Sequence, residues 1–126
     1  MPKPGDCESL RDELIQYALT FPEAWEDFPW EEPVVKVRKK IFAFLGSLDD
    51  CLQVGVKLPE TAEAVLQERW AEPSSHGLGR HGWVTMRFPH PEEIPFDLLE
   101  ELIVESYLAV APKTLGRRLL ALDGAS

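Results

Sequence analysis

The sequence predicts an α+β fold: a single compact domain with an antiparallel sheet of about four to five strands and helices packed at one face and at the ends. The chain has 126 residues, the usual size of one domain. Its strand-like segments mostly follow one another across short turns, which favours antiparallel pairing. Its helical segments lie apart from these strands, which gives the order α-β-β-β-α-β-α-α and favours α+β over α/β.

Apolar spacing and capping residues predict the first helix. Its buried stripe follows the i, i+4, i+7, i+8 pattern at Leu10, Leu14, Tyr17 and Ala18. Asp6 or Ser9 can cap its first turn, and the helix should end near Leu19, before Phe21-Pro22. Within one domain spanning residues 1–126, we expect residues 1–6 and 122–126 to be flexible ends.

A hairpin follows an acidic stretch. Pro29 and Pro33 limit any strand within residues 23–32 to a sheet edge or a short piece. Val34–Val37 and Lys40–Leu45 read as the two hairpin strands. In the second strand, Phe42 and Phe44 should share one face and Ile41, Ala43 and Leu45 the other. Because both faces are apolar, this strand should be central and covered on both sides.

The second half of the chain contains two more strands and three helices. Cys51–Leu58 alternates like a half-buried antiparallel strand, and Trp83–Phe88 is the next strand. Between them we expect a helix beginning at Pro59 and a glycine-containing loop over Pro73–Gly82. The longest helix should open at Pro95 or Asp97 and end near Val110, and Pro112 separates it from a short helix over Thr114–Leu122.

Composition indicates a globular protein of the cytoplasm. The net charge is −9, and no apolar stretch is long enough to span a membrane. The N-terminal residues lack the apolar core of a secretory signal, so we expect a cytoplasmic location by default. The two cysteines do not form a disulfide framework: Cys51 reads as a small buried residue and Cys7 as a free thiol.

Four of the thirteen basic residues lie within five positions, at Lys36, Arg38, Lys39 and Lys40. A regular strand would place Lys36, Arg38 and Lys40 on one face, where they could contact phosphate. The alternative is a solvated edge that deters strand-to-strand aggregation. Further bases could extend the cluster if the fold brings them close, namely Arg80, Lys113, Arg117 and Arg118. Because the protein is acidic, any DNA binding should be weak and nonspecific.

A second candidate surface is acidic and aromatic. Trp25, Phe28 and Trp30 are interleaved with carboxylates. They could cover one end of the core, or they could anchor another protein, since aromatic residues often dominate interface energies. Pro33 and the lysines discourage pairing of an edge strand between copies, which favours a monomer.

The remaining residues predict no catalytic site, no metal site and no cofactor. His76, His81 and His90 match no ligand spacing, so they read as loop histidines. The adjacent carboxylate pairs diverge in a regular element and cannot act as an acid–base pair. Ser106 and Tyr107 lie on the buried stripe of the longest helix and read as packing residues. We therefore expect a binding module and not an enzyme.

From about Leu10 to Leu120 the chain resembles the MmcQ/YjbR family of small bacterial proteins. The resemblance is carried by the order and spacing of several segments: Ala18–Ala24, Val35-Lys36-Val37, Lys40–Ala43, Val56–Glu60, Gly82-Trp83-Val84 and Glu105–Val110. It implies a compact α+β domain related to CyaY-like and secretion-chaperone-like folds. Many members are described as candidate DNA-binding proteins, with paired hairpins likened to a double wing.

The family often has glycine in the hairpin tip, where this chain has Arg38-Lys39. Because a two-residue turn favours Gly or Asn, a longer loop is expected here.

Overall fold

The computed structural model describes residues 6–29, 32–46 and 51–124. Within them, six strands form one antiparallel sheet with four α-helices and two 3-10 turns. The strands are β1 (Ala24–Asp27), β2 (Val34–Val37), β3 (Lys40–Gly46), β4 (Leu52–Lys57), β5 (Ala71–Pro73) and β6 (Trp83–Phe88). The helices are α1 (Cys7–Leu19), α2 (Ala62–Val65), α3 (Phe96–Val110) and α4 (Lys113–Gly124), and the 3-10 turns are Leu78–His81 and Pro91–Glu93. The predicted α+β class is confirmed.

The sheet order is β1-β2-β3-β4-β6-β5, and α1 and α3 pack on β3. Burial of apolar side chains between these helices and the strands is the main stabilising term. The fully buried core includes Leu14, Ala18, Phe42, Leu45, Val54, Val56, Met86, Leu99, Ile103 and Tyr107. The core thus lies on the helical side of the sheet.

Most predicted element boundaries agree with the structure to within one or two residues. Asp6 caps α1, and its carboxylate accepts the Ser9 amide at 2.8 Å. The helix expected from Pro59 is only the four residues of α2. The expected loop over Pro73–Gly82 also misses β5, whose last residue is Pro73. A three-residue edge strand carries too little apolar alternation to be recognised from sequence.

A β-bulge overturns the predicted facing of Phe42 and Phe44. Val35 pairs with Ala43 but Lys36 pairs with Ile41, so Phe42 has no partner on β2. Phe42 turns into the core, whereas the half-buried Phe44 packs edge-to-face on Trp83 at 5.5 Å. The two phenylalanines lie on opposite sides because the extra residue shifts the alternation of the strand.

Cys51 is buried as expected, but the expectation of a free thiol at Cys7 is wrong, because Cys7 and Cys51 form a disulfide. Their Cα atoms are 5.2 Å apart, within the range that a disulfide spans. The bond joins the start of α1 to the residue before β4, a contact 44 residues apart along the chain. Such a distance in sequence hides the pairing until the fold is known.

No helix among the described residues is long and apolar enough to cross a lipid bilayer.

Candidate functional site

The β2–β3 hairpin turns through two residues, Arg38 and Lys39, between the paired Val37 and Lys40. The longer loop expected from the sequence is therefore wrong. Arg38 takes the left-handed conformation, with φ +55°, that such a turn requires. A non-glycine residue in this region is strained and persists where surrounding contacts hold it.

Hydrogen bonds from three side chains, Trp25, Arg38 and Tyr107, hold this turn and the chain segment beside it. The Trp25 indole donates from Nε1 to the Arg38 carbonyl at 2.8 Å. The Arg38 guanidinium donates from Nε to Glu23 at 3.2 Å, and Glu23 itself has φ +58°. The buried Tyr107 hydroxyl donates to the Pro22 carbonyl at 2.7 Å. The hairpin tip is thus fixed against the start of β1.

Two of the four clustered bases are paired with carboxylates. Lys36 Nζ lies 2.8 Å from Asp27 and 5.2 Å from the centre of the Trp25 ring. The hydrogen bond from Lys36, with that from the Phe28 amide, lowers the pKa of Asp27. Arg38 is paired with Glu23. These pairs reduce the positive charge that the cluster presents to a partner.

Lys39 and Lys40 are exposed, and neither has an ion pair within the part of the chain that the structure describes. The expectation that Lys36, Arg38 and Lys40 share one face is wrong. Lys36 pairs with Ile41 and Lys40 with its neighbour Val37, so the two lysines face opposite sides of the sheet. The turn at Arg38 breaks the regular alternation on which that expectation depended.

Arg118 lies on α4, close enough to Tyr107 for its charge to act on that hydroxyl. Burial raises the pKa of the Tyr107 hydroxyl, and the charges of Arg118 and Arg38 both oppose that rise. Both guanidinium groups therefore act on one hydroxyl. Arg80 lies in the 3-10 turn before β6, at the same end of the sheet as the tip, while Lys113 and Arg117 are exposed on α4.

The aromatic surface is exposed where the structure describes it. Trp25 is 43% and Phe28 57% exposed, so neither covers the end of the core. Trp25 belongs to the edge strand β1, and Phe28 follows that strand. Trp30 lies outside the described residues.

Glu105 and Ser106, the two residues before Tyr107 on α3, make further hydrogen bonds at the tip's end of the sheet. Glu105 accepts the Glu60 and Thr61 amides at 3.0 and 3.1 Å and the Thr61 hydroxyl at 2.8 Å. Ser106, fully buried, accepts the Lys57 amide at 2.8 Å and donates to the Phe42 carbonyl at 2.6 Å. These bonds satisfy backbone groups that the bulge and the strand end leave without ladder partners.

The helical spacing of Ser106 and Tyr107 predicted that both side chains are buried, and this is confirmed. Their hydrogen-bond partners, however, lie 49 to 85 residues away along the chain. No sequence pattern indicates those bonds.

Elsewhere, no group of three or more His, Cys, Asp or Glu side chains in the described ranges is placed to hold a metal ion.

The geometry defines a small α+β domain with an antiparallel sheet, helices on one face and a rigid, lysine-bearing hairpin tip. The YjbR family model matches residues 19–109, and the chain belongs to the YjbR family. A crystal structure of the Deinococcus radiodurans protein DR2400, described as a DUF419 domain, is similar with a TM-score of 0.68 and 28% identity over 86% of each chain. A search of curated proteins returned no match.

Proposed function

We propose that this YjbR-family protein binds DNA weakly, and without reading base sequence, through the tip of its β2–β3 hairpin. The observation that carries the proposal is the exposure of Lys39 and Lys40, without ion pairs among the described residues, on a turn held by side-chain hydrogen bonds. A rigid turn presents its lysines to phosphate without a large loss of chain entropy on binding. Lys36 and Arg38 then act mainly by shaping the turn, because carboxylates already pair with them.

The expected affinity follows from the number of phosphate contacts. Lys39, Lys40 and Arg118 offer about three contacts, each contributing a slope of about −0.9 to the salt dependence. Raising the salt from about 50 to about 200 mM should then weaken binding roughly 40-fold. The carboxylates around the tip oppose closer approach of the duplex, so binding is detectable only at low salt.

The test is fluorescence anisotropy with labelled duplex DNA across a salt series. The Lys39→Ala/Lys40→Ala variant should lose most of the binding and about two units of the salt slope. Arg69→Ala removes an exposed cation at a distance from the tip and should change neither quantity. If the wild-type protein binds no duplex at about 50 mM salt, the proposal fails.

A second function is favoured by the exposure of Trp25 and Phe28. Two large apolar side chains at a sheet edge are typical of a surface that anchors another protein. In that case a captured partner is lost with Phe28→Ala and retained with Lys40→Ala. The opposite pattern, with DNA binding lost only in the lysine variant, would leave the aromatic surface without a role in binding.

A further inference from the structure

An apolar groove with an acidic rim lies between α2 and α3. It encloses about 320 Å³, with apolar side chains that include Val65, Trp70 and Leu102. Its carboxylates belong to Glu68, Glu101 and Glu105, and none of the described residues that line it is a Lys, Arg or His. In charge, this surface is the opposite of the hairpin tip.

A second cavity of about 510 Å³ shares Glu101 and Glu105 with the first and extends along α3 to Leu108. The two cavities adjoin at these shared carboxylates and are together called the α3 groove here. The groove follows a single stripe of α3, at Leu98, Glu101, Glu105 and Leu108. These residues are three, four and three positions apart and therefore lie on one side of the helix.

Helix α4 carries the complementary pattern on its exposed side. Lys113, Arg117 and Leu120 are four and three positions apart, and Leu120 is 53% exposed. Within the described chain neither Lys113 nor Arg117 forms an ion pair. The other side of α4 packs into the core through Leu115 and Leu119. The exposed side therefore presents two free cations followed by an unburied leucine.

We infer that a second copy of this chain fills the α3 groove with its α4, the two helices running antiparallel. In that register Glu105 faces the second copy's Lys113, Glu101 faces its Arg117, and Leu98 faces its Leu120. Both helices repeat these positions after four and then three residues, so the carboxylates and the cations are each about 6 Å apart along their helices. Charge and apolar contacts thus match along one line.

Glu101 and Arg117 form the decisive pair, because Glu101 is exposed and has no ion pair in the described structure. Glu105, in contrast, already accepts hydrogen bonds from Glu60 and Thr61. Each copy offers one groove and one helix, so a two-fold pair can use both contacts at once. This pairing does not use the sheet edges, where Pro33 and the lysines discourage association.

The test compares sedimentation velocity of the wild-type protein with that of two charge reversals at low salt. Glu101→Arg or Arg117→Glu alone places like charges opposite each other in both contacts of a pair, which should weaken self-association at least tenfold. Glu92→Arg makes the same charge change on the exposed 3-10 turn and should leave self-association unchanged. High salt should weaken the wild-type dimer.

Mixing the two single variants provides the sharpest readout. A Glu101→Arg chain and an Arg117→Glu chain complement each other in both contacts, so the mixture should form a heterodimer while each variant alone stays monomeric. A wild-type protein that is monomeric up to about 1 mM would overturn the inference, as would a mixture that fails to associate. Association that survives both reversals would show that another surface or another occupant is involved, and would also overturn it.

Discussion

Ser106 provides the most direct test of how the fold is held together, through the substitution Ser106→Ala. Its hydroxyl is fully buried and bridges the Lys57 amide and the Phe42 carbonyl, at 2.8 and 2.6 Å. Without it, the buried Phe42 carbonyl and the partly buried Lys57 amide lose their partner, at about 1–3 kcal/mol each. Alanine recovers about 0.5 kcal/mol of helix propensity. The net loss in free energy of unfolding should be about 1.5–5.5 kcal/mol.

Urea unfolding followed by tryptophan fluorescence and far-UV circular dichroism measures this loss. For a domain of this size, thermal unfolding should also shift downward by about 10 °C. Ser74→Ala is the matched control, because that hydroxyl contacts only the half-exposed Thr85 hydroxyl at 2.8 Å and its removal should cost less than about 1 kcal/mol. Equal losses for the two variants, at unchanged m-value, would refute the claim that Ser106 satisfies the bulged backbone.

Three further predictions concern the turn, the disulfide and the buried tyrosine. Arg38→Gly should change the free energy of unfolding by less than about 0.5 kcal/mol, since relief of the left-handed strain offsets the greater freedom of the unfolded chain. Arg38→Val should lower the free energy of unfolding by about 1–2 kcal/mol, because a β-branched residue is strained at this φ. Equal urea unfolding curves for the two variants would contradict this. Cys7→Ser should cost about 2–4 kcal/mol by opening the loop to Cys51, and a reductant should lower the melting temperature of the wild-type protein but not of this variant. Burial raises the pKa of Tyr107 from its ordinary value of 10.0, so the protonated hydroxyl contributes fully to the free energy of unfolding below that pH, and this contribution is lost as the pH rises further. Tyr107→Phe should therefore lose less free energy of unfolding at alkaline pH, as measured by urea titrations at stepwise pH.

Periodicity and turn residues were sufficient to predict the main elements because these depend on local interactions. The boundaries of α1, α3 and β6 follow from stripes, caps and prolines that lie within a few residues of each other. The bulge at Phe42 has no such local signature, since both registers leave apolar residues on both faces of β3.

The candidate site was predictable in composition but not in geometry. The sequence identified the basic cluster, yet the pairing of Lys36 with Asp27 and of Arg38 with Glu23 depends on the register of β1 beside β2. The α3 groove likewise appears only when α2 folds back over the longest helix. Charges that are far apart in sequence cancel or combine according to tertiary contacts, which composition does not encode.

The hydrogen bonds of Glu105, Ser106 and Tyr107 have a consequence for the order of folding. Their partners lie in three distant segments, at Pro22, at Phe42 and within Lys57–Thr61, so none of these bonds can form until the corresponding segment has arrived at α3. Loop-closure entropy makes such contacts late events, and they should lock together in a single step. The amide protons of Lys57 and Thr61 should consequently exchange with solvent through one shared opening, although they donate to different side chains of α3, Ser106 and Glu105.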